Sequence, residues 1–307
     1  MMEKENLILR LISELDSLMT GESAAARLVD CGPVAIEPLR QFLMEGRPRK
    51  IFQPRFWAVR ALARLEAKAV LLEYLFRGND IPDPEDRFGE EAVLSAAARS
   101  LAAWPDEEMF QSLLTLSEQR MLNGLIDALA EYRRSEPLPY FERALEDDFY
   151  RPAAESAFQK LGKASLVTLT LSAVTPRPGS FSESPSSLKR RRSAVKLLEE
   201  IGIDPEHWQT LRTLIHEPDP ELMVKASTLG VRMASKEDRI FISHRLISLI
   251  SSAPWHLQKD IENILVAFKN ESADEIDGEI ARRMEQPEEI RKRDQRLQAL
   301  LRVKRKF

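Results

Sequence analysis

A small residue followed by apolar residues three, four and seven positions later recurs along this chain, and no other feature restricts its fold as much. The pattern reads Ala58, Ala61, Leu62, Leu65, then Ala97, Ser100, Leu101, Trp104, then Leu125, Ala128, Leu129, Tyr132. It continues as Ala154, Ala157, Phe158, Leu161 and as Ala194, Leu197, Leu198, Ile201. A weaker copy at Ala25, Leu28, Val29, Gly32 precedes these, and Ala226, Leu229, Gly230, Met233 follows. Successive copies begin about 28 to 40 residues apart, the range of stacked supersecondary units. The spacing marks one face of an α-helix, and alanine on that face lets a neighbouring helix approach closely. The expectation is an all-α chain of stacked hairpins, an α-solenoid.

Between the copies lie further amphipathic segments, so each unit reads as two helices. Pro33–Glu45 pairs with a helix starting near Pro54, Ala67–Arg77 with Glu90–Ala103, and Asp106–Ser117 with Gln119–Arg133. Pro137–Glu146 pairs with Tyr150–Leu161, Lys163–Val174 with Leu188–Ile201, Asp204–Ile215 with Glu221–Met233, and Glu237–Ile250 with Pro254–Phe268. Asp106 is placed to cap a helix start, and Gly162 and Gly202 to end helices. Two Pro-, Gly- and polar-rich stretches, Gly78–Gly89 and Thr175–Ser187, separate the helices of their hairpins and read as linkers that order little surface by themselves.

The units Arg151–Gly162, Arg191–Gly202 and Arg55–Leu65 are the most regular, each with an arginine three residues before its first small position. They resemble HEAT repeats, in particular the short bacterial kind. The resemblance spans residues 5–270, about eight hairpins, and implies a right-handed superhelix whose second helices line a concave face. A regular Asp–Arg pair in each unit is missing. Residues 1–270 are thus expected to form the repeat array, and 271–307 a charged helical cap or tail, with helices over Ser272–Glu285 and Glu288–Val303 and a basic end from Arg302 to Phe307.

Chemistry is sparse. The single cysteine, Cys31, allows no internal disulfide, and the charged N-terminus lacks a leader's apolar stretch, so a cytoplasmic protein is expected. Four dispersed histidines and eleven scattered glycines offer neither a metal-ligand pattern nor a phosphate-cradling loop, so no catalytic residue, metal or cofactor is assigned. The first 150 residues carry an acidic excess and the remainder a basic one, although the whole chain has a net charge of −4.

The functional expectation is a non-catalytic scaffold or adaptor binding a protein or peptide along its concave face, without a membrane. Arg60, Arg64, Arg99, Asp127, Glu131, Glu155 and Lys196 fall on the solvent side of the second helices and are the candidate contacts. Lys189, Arg190, Arg191 and Arg192 open a helix, where positive charge opposes the helix dipole; they read either as a solvated helix start or as a basic patch for an acidic ligand. Helical-repeat DNA glycosylases and bilin lyases supply the alternatives, a nucleic-acid or base-processing enzyme and a lyase or chaperone for a cofactor-bearing protein. Large hydrophobes at helical spacing, such as Trp57 and Trp104, are read as core.

Overall fold

A computed structural model describes residues 2–77, 81–180 and 182–307. About 75% of the chain is helical, and the described residues contain no strand beyond one isolated bridge between Pro178 and Glu183. The chain is all-α. It divides into two compact units, Met1–Leu161 and Gly162–Phe307.

The first unit contains α1 (Met2–Glu14), α2 (Gly21–Asp30), α3 (Ile36–Glu45), α4 (Gln53–Arg64), α5 (Lys68–Phe76), α6 (Pro84–Leu101), α7 (Glu107–Gln119), α8 (Asn123–Glu131), α9 (Leu138–Ala144) and α10 (Arg151–Leu161). Helices α2, α4, α6, α8 and α10 form one row, each packed on the next, and α3, α5, α7 and α9 back them, each against the helix that follows it in sequence. The recurrent small positions make this row possible. Ala58, Ala61, Ala97, Ala128, Ala154 and Ala157 are all buried, together with Leu62, Leu101, Leu125, Leu129 and Phe158. Helix α8 approaches α6 closely at Gly124, where an added Cβ would lie 1.7 Å from the Ser95 carbonyl oxygen.

In the second unit, α11 (Leu166–Val174) packs on α12 (Pro185–Ile201) and on α13 (Pro205–Leu211), which continues into a 3-10 turn (Arg212–His216). The row is α12, α14 (Pro220–Gly230), α16 (Trp255–Ala267) and α19 (Gln295–Lys304). Behind it, α15 (Lys236–Leu249) and α17 (Lys269–Met284) pack on each other, and α18 (Glu288–Arg293) leads into α19. Ala194, Leu197, Leu198 and Ala226 are buried in this row as the sequence pattern requires.

Local signals set most boundaries. Asp106 accepts the Met109 amide at 2.8 Å, while Gly162 and Gly202 adopt φ of 56° and 83°, which a side chain would strain. Three expectations need correction. Pro84–Gly89 is the first part of α6 and not a linker, because Asp83 caps it by accepting the amides of Glu85 and Asp86 and Pro84 suits a first helical position. Residues 78–80 of that stretch lie outside the described residues. Helix α8 starts at Asn123, since Tyr140 donates to and accepts from the extended backbone around Leu122. The helix expected over Glu288–Val303 is broken at Asp294, whose carboxylate caps α19 by accepting the Leu297 amide at 3.0 Å.

Tryptophans fill space left by glycine. Trp57 covers Gly21, and the buried Trp208 covers Gly230, where an added Cβ would come within 2.3 Å of the indole. The small positions are buried in the same rows, Ala157 at 1% exposure. Ala157→Leu should therefore overpack the α8–α10 contact and destabilise by about 1–3 kcal/mol in urea denaturation; a loss below about 0.5 kcal/mol would place that residue outside the contact.

Candidate functional site

The arginine that precedes each of the three most regular copies has a shared task. Arg55 donates from Nη1 to the Gly46 carbonyl at 2.8 Å, Arg151 from Nε to Leu145 at 2.8 Å, and Arg191 from Nε to Ala173 at 2.8 Å. Each acceptor stands at the C-terminal end of the preceding helix, α3, α9 or α11, where carbonyls have no intrahelical donor and the helix dipole is negative. A second set of arginines links one backing helix to another. Arg77 donates to the Met44 carbonyl, Arg120 to Arg77 at 3.3 Å, Arg143 to Ser117 at 3.1 Å, and Arg245 to Ile215 at 2.7 Å. The turn edge of each unit is thus tied together by guanidinium groups.

Arg55 does more than cap. Its Nε and Nη2 hold the two oxygens of Glu90 at 3.0 and 2.9 Å, and Tyr74 donates to the same carboxylate at 2.6 Å. All three side chains are buried, joining α4, α5 and α6. Burial and the neighbouring Glu90 charge raise the Tyr74 hydroxyl well above the usual phenol range, so it stays a donor.

Glu90 also borders a groove of about 310 Å³ on the turn edge of the first unit, lined by Ile81, Leu94, Met121, Leu122 and Tyr150 with Arg87, Arg120 and Glu91. Three hairpin turns meet there. Beside it, Phe88 from α6 and Phe149 from the α9–α10 turn are 57% and 50% exposed, with ring centroids 5.8 Å apart. Phe149 also lies edge-on to Tyr150 at 5.1 Å. Partial burial raises the pKa of both Glu91 and Tyr150. Two phenylalanines in edge-to-face contact and half-exposed side by side are characteristic of a contact surface and not of a solvated turn.

The residues expected to form a binding face are brought together as pairs between neighbouring helices. Arg60 reaches Glu22 of α2 at 3.2 Å, Arg99 reaches Asp127 of α8 at 2.6 Å, and Glu131 reaches Lys160 of α10 at 2.5 Å. Arg64 is exposed and borders a small groove with Trp57 and Glu22. Glu155 lies on α10, half-buried, and Lys196 on α12, exposed.

The four basic residues opening α12 do not form one surface patch. Arg190 and Arg191 are each 1% exposed; Arg190 donates to the Thr175 carbonyl at 2.6 Å, and Arg191 bonds Glu183 at 2.7 Å and also Glu217. Arg192 pairs with Asp219 and Glu221, and Lys189 is exposed. The penalty of positive charge at the α12 start is offset by the carbonyl end of α11 beside it and by carboxylates. Arg191 also fastens the described part of the 175–187 stretch, since its partner Glu183 accepts Ser187 Oγ at 2.6 Å and Ser184 caps α12. That stretch is more structured than its composition suggests; residue 181 lies outside the described residues.

Phe88 and Phe149 carry no sequence signal of the repeat kind. The available clue is an aromatic set among charged residues, Glu85-Asp86-Arg87-Phe88 and Asp147-Asp148-Phe149-Tyr150, at points where no helix face can bury it. Among the described residues no group of three His, Cys, Asp or Glu is placed to hold a metal, and no helix is long and apolar enough to cross a membrane. No protein-family model matches the chain, and no curated protein shows significant sequence similarity to it.

Arg55→Met should leave Glu90 buried without its cation and lower stability by about 3–5 kcal/mol. Arg55→Met combined with Glu90→Leu should recover most of that loss, because the stranded charge is then gone; denaturant titration of the three chains checks both, and a double variant as unstable as the single would refute the assignment. The carboxylates of the second unit's C-terminal helices contribute acid sensitivity. The Arg283 hydrogen bond lowers Glu279, while at Glu262 burial is outweighed by bonds from Lys306 and Arg302, and at Asp294 by bonds from the Leu297 amide and Arg283. Folded values below the ordinary carboxylate range give stability that is present above that range and lost as pH falls through it. The protection factors of amides across α17–α19, which remove the intrinsic slowing of exchange in acid, should fall as pH drops below about 4, the range from which unfolded carboxylates begin to take up protons more readily than these folded ones.

Proposed function

We propose that the chain is a non-catalytic protein-binding scaffold of the HEAT-like α-solenoid type, and that a partner docks on the turn edge of the first unit. The exposed Phe88–Phe149 pair beside the groove of Ile81, Leu94, Met121 and Tyr150 carries this reading. Aromatic side chains supply large contact area at low entropic cost and are enriched where protein contacts concentrate their energy. Arg87, Arg120 and Glu91 at the rim would select a partner segment of mixed polarity around an apolar anchor. The two-row packing with buried small residues supports the solenoid interpretation, and the HEAT resemblance rests on the repeated sequence pattern.

The face of the second helices is the less suitable surface. Its charges Arg60, Arg99, Asp127 and Glu131 already engage one another or nearby partners, so a ligand would have to displace exposed pairs that each contribute little. The distinction is measurable with two helical, stable variants used as bait in the native host. Phe88→Ala with Phe149→Ala should lower capture of the principal partner at least tenfold, whereas Arg60→Glu, Arg64→Glu and Arg99→Glu together should leave it nearly unchanged. The reverse result would return the contact to the second-helix face, and full capture by both would refute a docking role for either.

A further inference from the structure

We infer that the C-terminal end of the second unit carries a site for a nucleoside phosphate, with the phosphate in a basic groove and the base against Trp255. The groove, about 320 Å³, is lined by Lys292, Arg293 and Arg302, by Gln258, Gln295 and Gln298, and by Ile250, Ser251 and Ala299. No carboxylate lines it. The charge around it is one-sided, with eight Lys/Arg against three Asp/Glu from residue 288 to 307.

Its donors are partly fixed in advance. Arg302 uses Nε on Glu262 at 2.9 Å, which orients the guanidinium while engaging one edge of it. Glu262 also takes Lys306 at 2.8 Å, so one carboxylate answers two cations. Lys292 shares only an exposed one-turn pair with Glu288, which contributes little to holding it. Three cations and three amides supply more donors than a planar carboxylate can accept, and they match the several oxygens of a phosphate.

Trp255 extends the site. Trp255, Gln258 and Glu262 stand at i, i+3 and i+7, on one face of α16. Glu262 pairs with Arg302, and Gln258, one turn earlier, shares the groove with Gln298, also one turn earlier on its own helix. Helices α16 and α19 therefore run in the same direction here, and Trp255 precedes Gln258 by three residues as Gln295 precedes Gln298, which by register sets it just beyond the groove's own lining. The indole is 83% exposed, although tryptophan is the side chain with most to gain from burial. Stacking of a base on it, next to a phosphate held by arginine, is the arrangement by which single strands and nucleotides are held without base-specific contacts.

Fluorescence polarisation of the full chain with a labelled oligothymidylate tests this, with thymidine monophosphate and inorganic phosphate as competitors. The unmodified chain should bind, with affinity falling on the order of tenfold between 50 and 200 mM salt. Trp255→Ala and Arg293→Glu, both surface changes, should each weaken binding at least tenfold while the circular dichroism melt is unchanged. Competition by the monophosphate at concentrations near its own stoichiometric binding would identify a free nucleotide as the source, and competition only by longer strands would identify a nucleic acid; both support the site. Absence of binding at 50 mM salt, equal binding by both variants, or equal affinity for a duplex, whose bases cannot reach the indole, would overturn it. Because these changes lie in the second unit, the outcome is separable from partner capture by the Phe88–Phe149 edge.

Discussion

The guanidinium–carbonyl bond at the end of a helix is the interaction on which the rest of this architecture depends. Short helices leave a large share of their carbonyls without intrahelical donors, and in this chain most helices are short. Crowding such ends at one edge would bury acceptors without partners, each costing about 1–3 kcal/mol. Arg55, Arg151 and Arg191 supply donors within a hairpin, while Arg77, Arg120, Arg143 and Arg245 supply them between hairpins. The same positive groups oppose the negative poles of those helices, so hydrogen bonding and electrostatics act in the same sense.

Arginine suits this task better than lysine because its flat fork can serve two masters. Arg55 gives one nitrogen to Gly46 and two to Glu90, and Arg191 divides itself among Ala173, Glu183 and Glu217. The buried Glu90 and the half-buried Glu183 and Glu217 then act as positioning groups for their arginines. Within each unit the row helices are also joined by ion pairs, exposed ones such as Glu22–Arg60 and Arg99–Asp127 in the first and the half-buried Lys225 with Glu199 and Asp260 in the second. These fix register more than they add stability.

Periodicity carried most of the fold into the sequence. The positions of Ala58, Ala97, Ala154 and Ala194 located the packed rows because an alanine on a helical stripe has one physical use, close approach. Boundaries set by a single side chain were harder to see. Asp83 converts a stretch rich in proline and aspartate into the start of α6, and Asp294 divides one charged segment into two helices. The arginine three residues before the small position was visible as a pattern, yet its carbonyl partner is a main-chain group at the end of the preceding helix, which no side-chain pattern marks. Arg190 and Arg191 show the same limit from the other side. A run of four basic residues looks like surface, and only the neighbouring end of α11 makes its interior placement favourable. The Phe88–Phe149 pair was illegible for a different reason: it joins residues about sixty positions apart through three turns, a distance no periodic pattern spans.

The division of labour among the arginines bears on how the chain comes to be folded. The bonds of Arg55, Arg151 and Arg191 close within a single hairpin, between residues separated by as few as six and at most eighteen positions. A hairpin can therefore satisfy its own helix ends before its neighbour exists. The bonds of Arg77, Arg120, Arg143 and Arg245 wait for the adjacent hairpin to dock. A chain emerging from the ribosome could settle unit by unit, each completed hairpin offering open carbonyls as the template on which the next is oriented.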